Sequence, residues 1–373
     1  MAMTELPNAT VAETLGTGPL KGLRVLELAS IGPGPHCAML LSDLGAEVLR
    51  IDRAGGNGWQ NPILDRGRHV LTLDIRTDVG RTLCAAAAER ADVLIEGMRP
   101  GVMERLGLGP QSLCALNPRL IYARLTGWGQ DGPRARTAGH DINYIAITGA
   151  LAAIGRPGEP AVPPLNLVGD FGGGSMFAAL GILAAVIERH TSGKGQVIDA
   201  AMVDGAASLM SMFSGLLSRG AISVDRQHNL LGGAAPFYRC YTCADGRDVA
   251  VGALEHKFYK ILIERIGAPA AFVHGQHDQR NWPARTAAFA RIFAGRARDA
   301  WTALFDGLDG CLAPVLTLEE SFEDKHLRAR GTYVAESGLF QCAPTPKFSR
   351  TPGCIQSSGD AVALLERWGV ATP

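Results

Sequence analysis

Between residues 23 and 125 this chain repeats one rhythm, a short aliphatic run followed by a helical stretch, and that alternation confines the segment to a sheet of parallel strands. Leu23-Arg24-Val25-Leu26-Glu27-Leu28 reads as a strand, 35–44 as a helix, and Glu47-Val48-Leu49-Arg50-Ile51-Asp52 as the next strand. The pattern returns with a strand over 70–75, an alanine-rich helix over 79–91, and strands over 93–96 and 120–125. Parallel neighbours require crossover connections, so helices cover both faces of the sheet. The expected fold class is α/β, a Rossmann-like doubly wound parallel sheet.

At 373 residues the chain exceeds one ordinary core, which points to two domains. Beyond about residue 225 the texture changes: Gly232-Gly233 precedes predicted strands at 237–242 and 248–254 and helices at 257–266 and 284–293. The expected organisation is a flexible extension over 1–18, a large α/β domain over 19–215 plus 330–373, and a smaller α+β domain over 225–325. No internal repeat is visible. The first 18 residues, with Glu5 and Glu13, lack the basic start and apolar core of a signal peptide. The apolar run 176–187 is shorter than a bilayer span and ends in Glu188-Arg189-His190, so a buried helix is expected and no membrane segment.

Lys+Arg and Asp+Glu balance at 36 each, so no global field draws the chain to nucleic acid or anionic lipid, and local arginines must hold any anionic ligand. The eight cysteines lack the spacing of a disulfide framework, which suits reduced thiols in a cytoplasmic protein. Cys240-x-x-Cys243 has no second pair to complete a zinc site, and no metal is expected. The first strand-to-helix connection, Gly32-Pro33-Gly34-Pro35-His36-Cys37, lacks the third glycine of a dinucleotide fingerprint, and its prolines remove amide donors. A sharp turn is the expectation there.

Acid–base chemistry has better candidates. In Gly139-His140-Asp141-Ile142-Asn143-Tyr144 an imidazole stands at the start of a helix predicted over 141–149, where the Asp141 amide meets the partial positive charge that favours an oxyanion. In Gly169-Asp170-Phe171-Gly172-Gly173-Gly174 a carboxylate lies in a glycine-rich turn ahead of an apolar helix starting at Ser175. Asp170 suits an N-cap, worth about 1 kcal/mol, or an acid–base group. The triple glycine, which would let a ligand approach the backbone, favours the second. Glu255 ends a predicted strand and starts a helix, either as a solvated cap or as the carboxylate that orients His140. Removing and returning a proton beside a carbonyl needs a base at the carbon and a positive field at the oxygen. His140, Asp170 and Glu255 meet that need, and the other histidines, His36 included, are read as structural.

Over roughly residues 20–350 the sequence resembles the α-methylacyl-CoA racemases of the family III CoA-transferase (CaiB/BaiF) group. The likeness is carried by Leu20-Lys21-Gly22-Leu23-Arg24-Val25, Asp43-Leu44-Gly45-Ala46-Glu47-Val48, Arg50-Ile51-Asp52-Arg53, 99–109, Gly127-Trp128-Gly129-Gln130, 139–144, 164–170, 193–200, and Glu255 with Phe258-Tyr259. The resemblance implies a 2-methylacyl-CoA thioester epimerised through an enolate, with His140 on one face, Asp170 on the other and Glu255 supporting His140. It also implies an interlocked homodimer in which Glu255 comes from the partner chain. CoA contacts would fall on Arg53, on Leu73, Asp74, Ile75 and Arg76, on Gly97, on Arg105, and on Gly139, His140, Asp141, Ile142, Asn143 and Tyr144. CoA is then part of the substrate and no separate cofactor is implied. Met176, Met202, Met210 or Met212 would floor an acyl site, since thioethers adapt to varied hydrocarbons, although a plain core is the commoner use of methionine. Gly232 stands where close members tend to carry aspartate, and His256 where proline is usual. Three alternatives accompany this reading: a CoA-transferase with Asp170 as nucleophile, a non-catalytic CoA-binding protein, and a dehydratase of 3-hydroxyacyl thioesters.

Overall fold

The computed structural model describes residues 18–371 apart from Asn57 and Ser337, so the expected N-terminal extension lies outside the described residues except for Gly18. The described residues divide into two compact units: those within 18–144, 166–206 and 332–371 form the first, and 145–165 with 207–331 the second. This division assigns 145–165 and 207–215 to the second unit, where the sequence reading had placed them in the large domain. Neither stretch supplies a strand to the large sheet.

The first unit is built on six parallel strands, β1 Arg24–Leu28, β2 Glu47–Asp52, β3 Arg68–Thr72, β4 Val93–Glu96, β5 Ile121–Thr126 and β6 Val197–Ala201, in the order β3-β2-β1-β4-β5-β6. Alternation along each strand sorts the side chains to two faces. Leu26, Leu49, Leu94 and Tyr122 enter one core with Leu83 and Ala87 of the helix Asp78–Arg90. Val25, Val48, Val93, Ile95, Ile121 and Ala123 enter the other, against helix α1 (Pro33–Asp43) and Ala178 and Ile182 of the helix Met176–Ser192. Burial on both faces explains the unbroken apolar runs Val93-Leu94-Ile95 in β4 and Ile121-Tyr122-Ala123 in β5. The C-terminal helix Ala361–Trp368 brings Leu364, Leu365 and Trp368 into the first of these cores. β10 Tyr333–Glu336 and β11 Leu339–Cys342 form an antiparallel hairpin.

Charged groups also enter this interior. Arg68 and Glu27 are both fully buried and pair at 3.1 Å, and Arg68 donates further to the Arg66 and Pro35 carbonyls. Arg66 makes two bonds to the buried Asp43 carboxylate, at 3.0 and 2.5 Å. The Arg68 pairing moves β3 to Arg68–Thr72, two residues earlier than its predicted start. The sequence reading also missed β6, whose centre Ile198-Asp199-Ala200 hides its pairing to β5 in a mixed composition.

Residues 167–192 run as one 26-residue helix containing an 18-residue window of mean hydropathy 1.6, long and apolar enough by length and composition to cross a membrane. The expectation of runs too short for a bilayer is corrected on that point, because the glycine-rich segment before Met176 is itself helical. Ala178, Ile182 and Ala185 pack into the core on the sheet, and Arg189 is buried and paired with Asp92 at 2.9 Å.

The second unit carries a three-stranded antiparallel sheet, β7 Tyr238–Thr242, β8 Asp248–Gly252 and β9 Leu312–Pro314. Phe237, Tyr241, Tyr259, Trp282, Phe289, Phe293 and Trp301 fill an aromatic core against it. The helix His256–Ile266 buries Tyr259, Leu262, Ile263 and Ile266, one face at helical spacing.

Candidate active site

In a parallel sheet of this order the connections from β1 and β4 leave in opposite directions, opening a crevice beyond the carboxyl ends of the strands. The first unit has a cleft of about 720 Å³ there. Its walls are the turn 30–34 after β1, the segment 97–100 after β4, Leu125 to Trp128 at the end of β5, and His140, Tyr144, Asn166 and Asp170. His140 and Asp170, distant in sequence, thus share one cavity, with Gly97, Gly139 and Tyr144 beside them.

Each is held by local structure. His140 precedes the helix Asp141–Ile147, shorter than the predicted 141–149, and its backbone N–H donates to Asn143 Oδ1 at 3.0 Å. The imidazole-bearing residue is exposed, while Asp141 behind it is buried. Asp141 Oδ2 accepts from the backbone N–H groups of both Gly169 and Asp170, each at 2.7 Å. The two catalytic candidates are therefore joined through one aspartate side chain. Tyr144 donates to the Gly139 carbonyl and lies edge-on to Trp128 at 4.8 Å.

Asp170 does not lie in a turn. Residues Leu167–Ser175 wind as a π-helix that continues directly into the helix Met176–Ser192, and the Asp170 carboxylate caps neither. Its Oδ2 instead accepts from Asn166 Nδ2 at 3.2 Å. Burial pushes the Asp170 carboxyl above its ordinary value and the nearby Asp141 charge adds to this, against the Asn166 bond and His140. π-wound segments recur at functional sites.

The triple glycine has a different purpose from the one expected. A Cβ on Gly173 would sit 2.6 Å from the Ala206 nitrogen, and one on Gly174 would sit 2.9 Å from Met202 Cγ and 3.0 Å from Pro33 Cβ. Both glycines are buried and make room for packed protein atoms, backbone at Gly173 and the Met202 and Pro33 side chains at Gly174, rather than for a ligand. At Gly32, φ is +71° and a Cβ would lie 2.9 Å from Asp170 Oδ2, so the carboxylate occupies the space that a side chain at this turn would need.

The remaining predicted residues lie elsewhere. Arg53 is exposed with its Nε on the Gly56 carbonyl at 2.9 Å. Arg76 is exposed and forks onto Asp74, with Leu73 and Ile75 half-buried alongside. Arg105 is exposed next to Gly101. None of these lines the cleft. Glu255 belongs to the second unit, exposed at the N-cap of His256–Ile266 without a side-chain capping bond. Of the four methionines, Met202 lines the cleft; Met176 and Met212 are exposed. Sequence reasoning gave no role to Arg99, Asn166 or the turn 30–34. For Arg99 a signal existed, since an arginine just after a strand end suits an anionic ligand. Among the described residues no three His, Cys, Asp or Glu side chains converge as a metal site.

Residues 20–359 match CoA-transferase family III, and the chain belongs to that family. Within it, the chain is 45% identical over 357 residues to a Mus musculus protein named alpha-methylacyl-CoA racemase, covering 94% of this chain and 93% of the relative. The Homo sapiens protein of the same name is 44% identical over 334 residues, 89% of this chain and 87% of that one. A CAIB/BAIF family protein from Brucella suis has the same architecture, with a TM-score of 0.81 at 27% identity over 94% of this chain and 99% of that structure.

Proposed function

We propose that this protein is an α-methylacyl-CoA racemase that interconverts (R)- and (S)-2-methylacyl-CoA by two-base 1,1-proton transfer. The observation that carries the reading is the shared cleft: His140 and Asp170 line one cavity at the switch point of the sheet. The thioester α-carbon sits between them. One base takes its proton, and the other returns a proton to the opposite face. The enolate oxygen forms at the Asp141 amide, where a helix start favours negative charge. The raised Asp170 pKa suits a carboxyl that must both accept and donate. CoA enters as part of the substrate, its phosphates held by the exposed Arg53, Arg76 and Arg105 outside the cleft lining, and no separate cofactor takes part.

The working form is an interlocked homodimer in which Glu255 of one chain supports His140 of the other. The chain is cytoplasmic and does not enter a membrane; its eight free cysteines agree with a reducing compartment. Branched fatty acids, sterol side chains and arylpropionates are all candidate acyl groups.

Incubating the protein with either epimer in deuterated water is expected to replace the α-hydrogen with deuterium and to yield both epimers without an added acid. Strict dependence on a carboxylate acceptor would establish CoA transfer with Asp170 as nucleophile instead.

Asp141 provides a pH test. Asp141→Asn keeps an oxygen that accepts the Gly169 and Asp170 N–H groups but removes a charge that raises the Asp170 pKa. With that repulsion gone the carboxylate forms more readily. For the epimer whose α-hydrogen faces Asp170, the acid limb of kcat/KM should therefore move to lower pH; a limb that stays or moves upward with that epimer contradicts the assigned coupling.

A further inference from the structure

His36 is a titratable group that the proton-transfer scheme leaves unused. It lies in the first turn of α1, behind the cleft wall formed by Gly32, Pro33 and Gly34. Its Nδ1 is 2.5 Å from Ser175 Oγ, and its ring stacks on Phe171 at 4.5 Å between centroids, with 28° between the planes. Phe171 directly follows Asp170, and Ser175 is the fully buried last residue of the π-wound segment.

We propose that His36 is a positioning residue for Asp170, clamping the π-wound segment Leu167–Ser175 through Ser175 and Phe171 so that the carboxylate faces the cleft. The proposal rests on the racemase reading for its consequence and on geometry for its mechanism.

A π-helix is the rarest of the helical windings and must be imposed by its surroundings. This one contains adjacent glycines, which bring no side-chain contacts and favour many other conformations. One turn of α1 touches it three times: Gly32 against the Asp170 carboxylate, Pro33 against Gly174, and His36 on both Phe171 and Ser175. That turn is itself tied to the sheet, because Arg68, paired with the buried Glu27, donates to the Pro35 carbonyl. Of Gly32, Pro33 and His36, it is His36 whose side chain offers a directional polar bond.

Its protonation state suits a fixed clamp. Burial, followed by the charges of Arg68 and Arg66, lowers its pKa to about 4. The ring therefore stays neutral, with one tautomer serving the Ser175 hydroxyl, across the range in which acyl thioesters are handled.

The test compares His36→Ala, His36→Phe and Ser175→Ala with the parent protein. Two readouts are taken: α-hydrogen washout from each 2-methylacyl-CoA epimer in deuterated water, and backbone amide exchange over 167–175. An epimer whose hydrogen faces Asp170 needs that carboxylate for washout, whereas the other can lose and regain its proton through His140 alone. His36→Ala should slow washout from one epimer by about tenfold or more and change the other by less than about threefold, with KM little altered. Its 167–175 amides should exchange at least about tenfold faster. His36→Phe keeps the stacked ring and should fall between, as should Ser175→Ala. An equal loss for both epimers, or unchanged amide protection, would overturn the clamp. Absence of washout from the parent protein sinks the racemase reading, and the amide-exchange arm still decides whether His36 holds the segment.

Discussion

Asp170→Ala is expected to slow interconversion of the two epimers by ~10²–10⁴-fold, the usual cost of losing a general acid–base group. It should still exchange the α-hydrogen of the epimer that presents it to His140. His140→Ala should give the mirror result, exchange from the other epimer alone. The asymmetry follows from one base serving each face, and chiral analysis of recovered substrate after deuterium labelling measures it. A CoA-transferase would instead lose all activity with Asp170 and little with His140. If both variants lose exchange from both epimers equally, the two-face assignment is wrong.

Arg68→Met should be the most damaging change to the fold. Arg68 and Glu27 are both fully buried, and Arg68 also satisfies the carbonyls of Arg66 and Pro35. Removing the guanidinium strands a carboxylate in the core, which costs about 3–5 kcal/mol when one partner of a buried pair is lost. Replacing both partners with apolar residues should recover much of that loss, because the orphaned charge disappears with its partner. Thermal unfolding of the single and double variants checks this; a double variant no more stable than Arg68→Met would contradict it. Since the Pro35 carbonyl belongs to the turn that meets Asp170, the single variant should also lose activity below its unfolding temperature.

These effects show where local sequence is informative and where it is silent. β2 and β4 were legible to the residue, because each is a run of alternating or continuous aliphatics bounded by small or polar residues. β3 was displaced because Arg68 and His69 look like surface residues. The burial of Arg68 depends on Glu27, forty-one positions away. The glycines at 172–174 signalled a turn by composition, yet their winding is set by long-range neighbours: Met202, Ala206 and Pro33 crowd them, and Asp141 takes the amides of Gly169 and Asp170.

The same division applies to the cleft. His140 and Asp170 stand in motifs whose chemistry can be read in isolation, and both line the cavity. Asn166 and His36 carry no such mark. Asn166 touches Asp170 only because a helix winds between them, and His36 meets Ser175 across 139 positions of sequence. The arginines expected to hold CoA are exposed, with the Arg53 and Arg76 side chains turned to Gly56 and Asp74.

The most direct measurement is a crystal structure of the protein with a bound 2-methylacyl-CoA. The account predicts the acyl α-carbon lying between the His140 imidazole and the Asp170 carboxylate, one on each face, with the thioester oxygen at the Asp141 amide. Both side chains on the same face, or the Asp170 carboxylate aimed at the carbonyl carbon instead of the α-carbon, would contradict it.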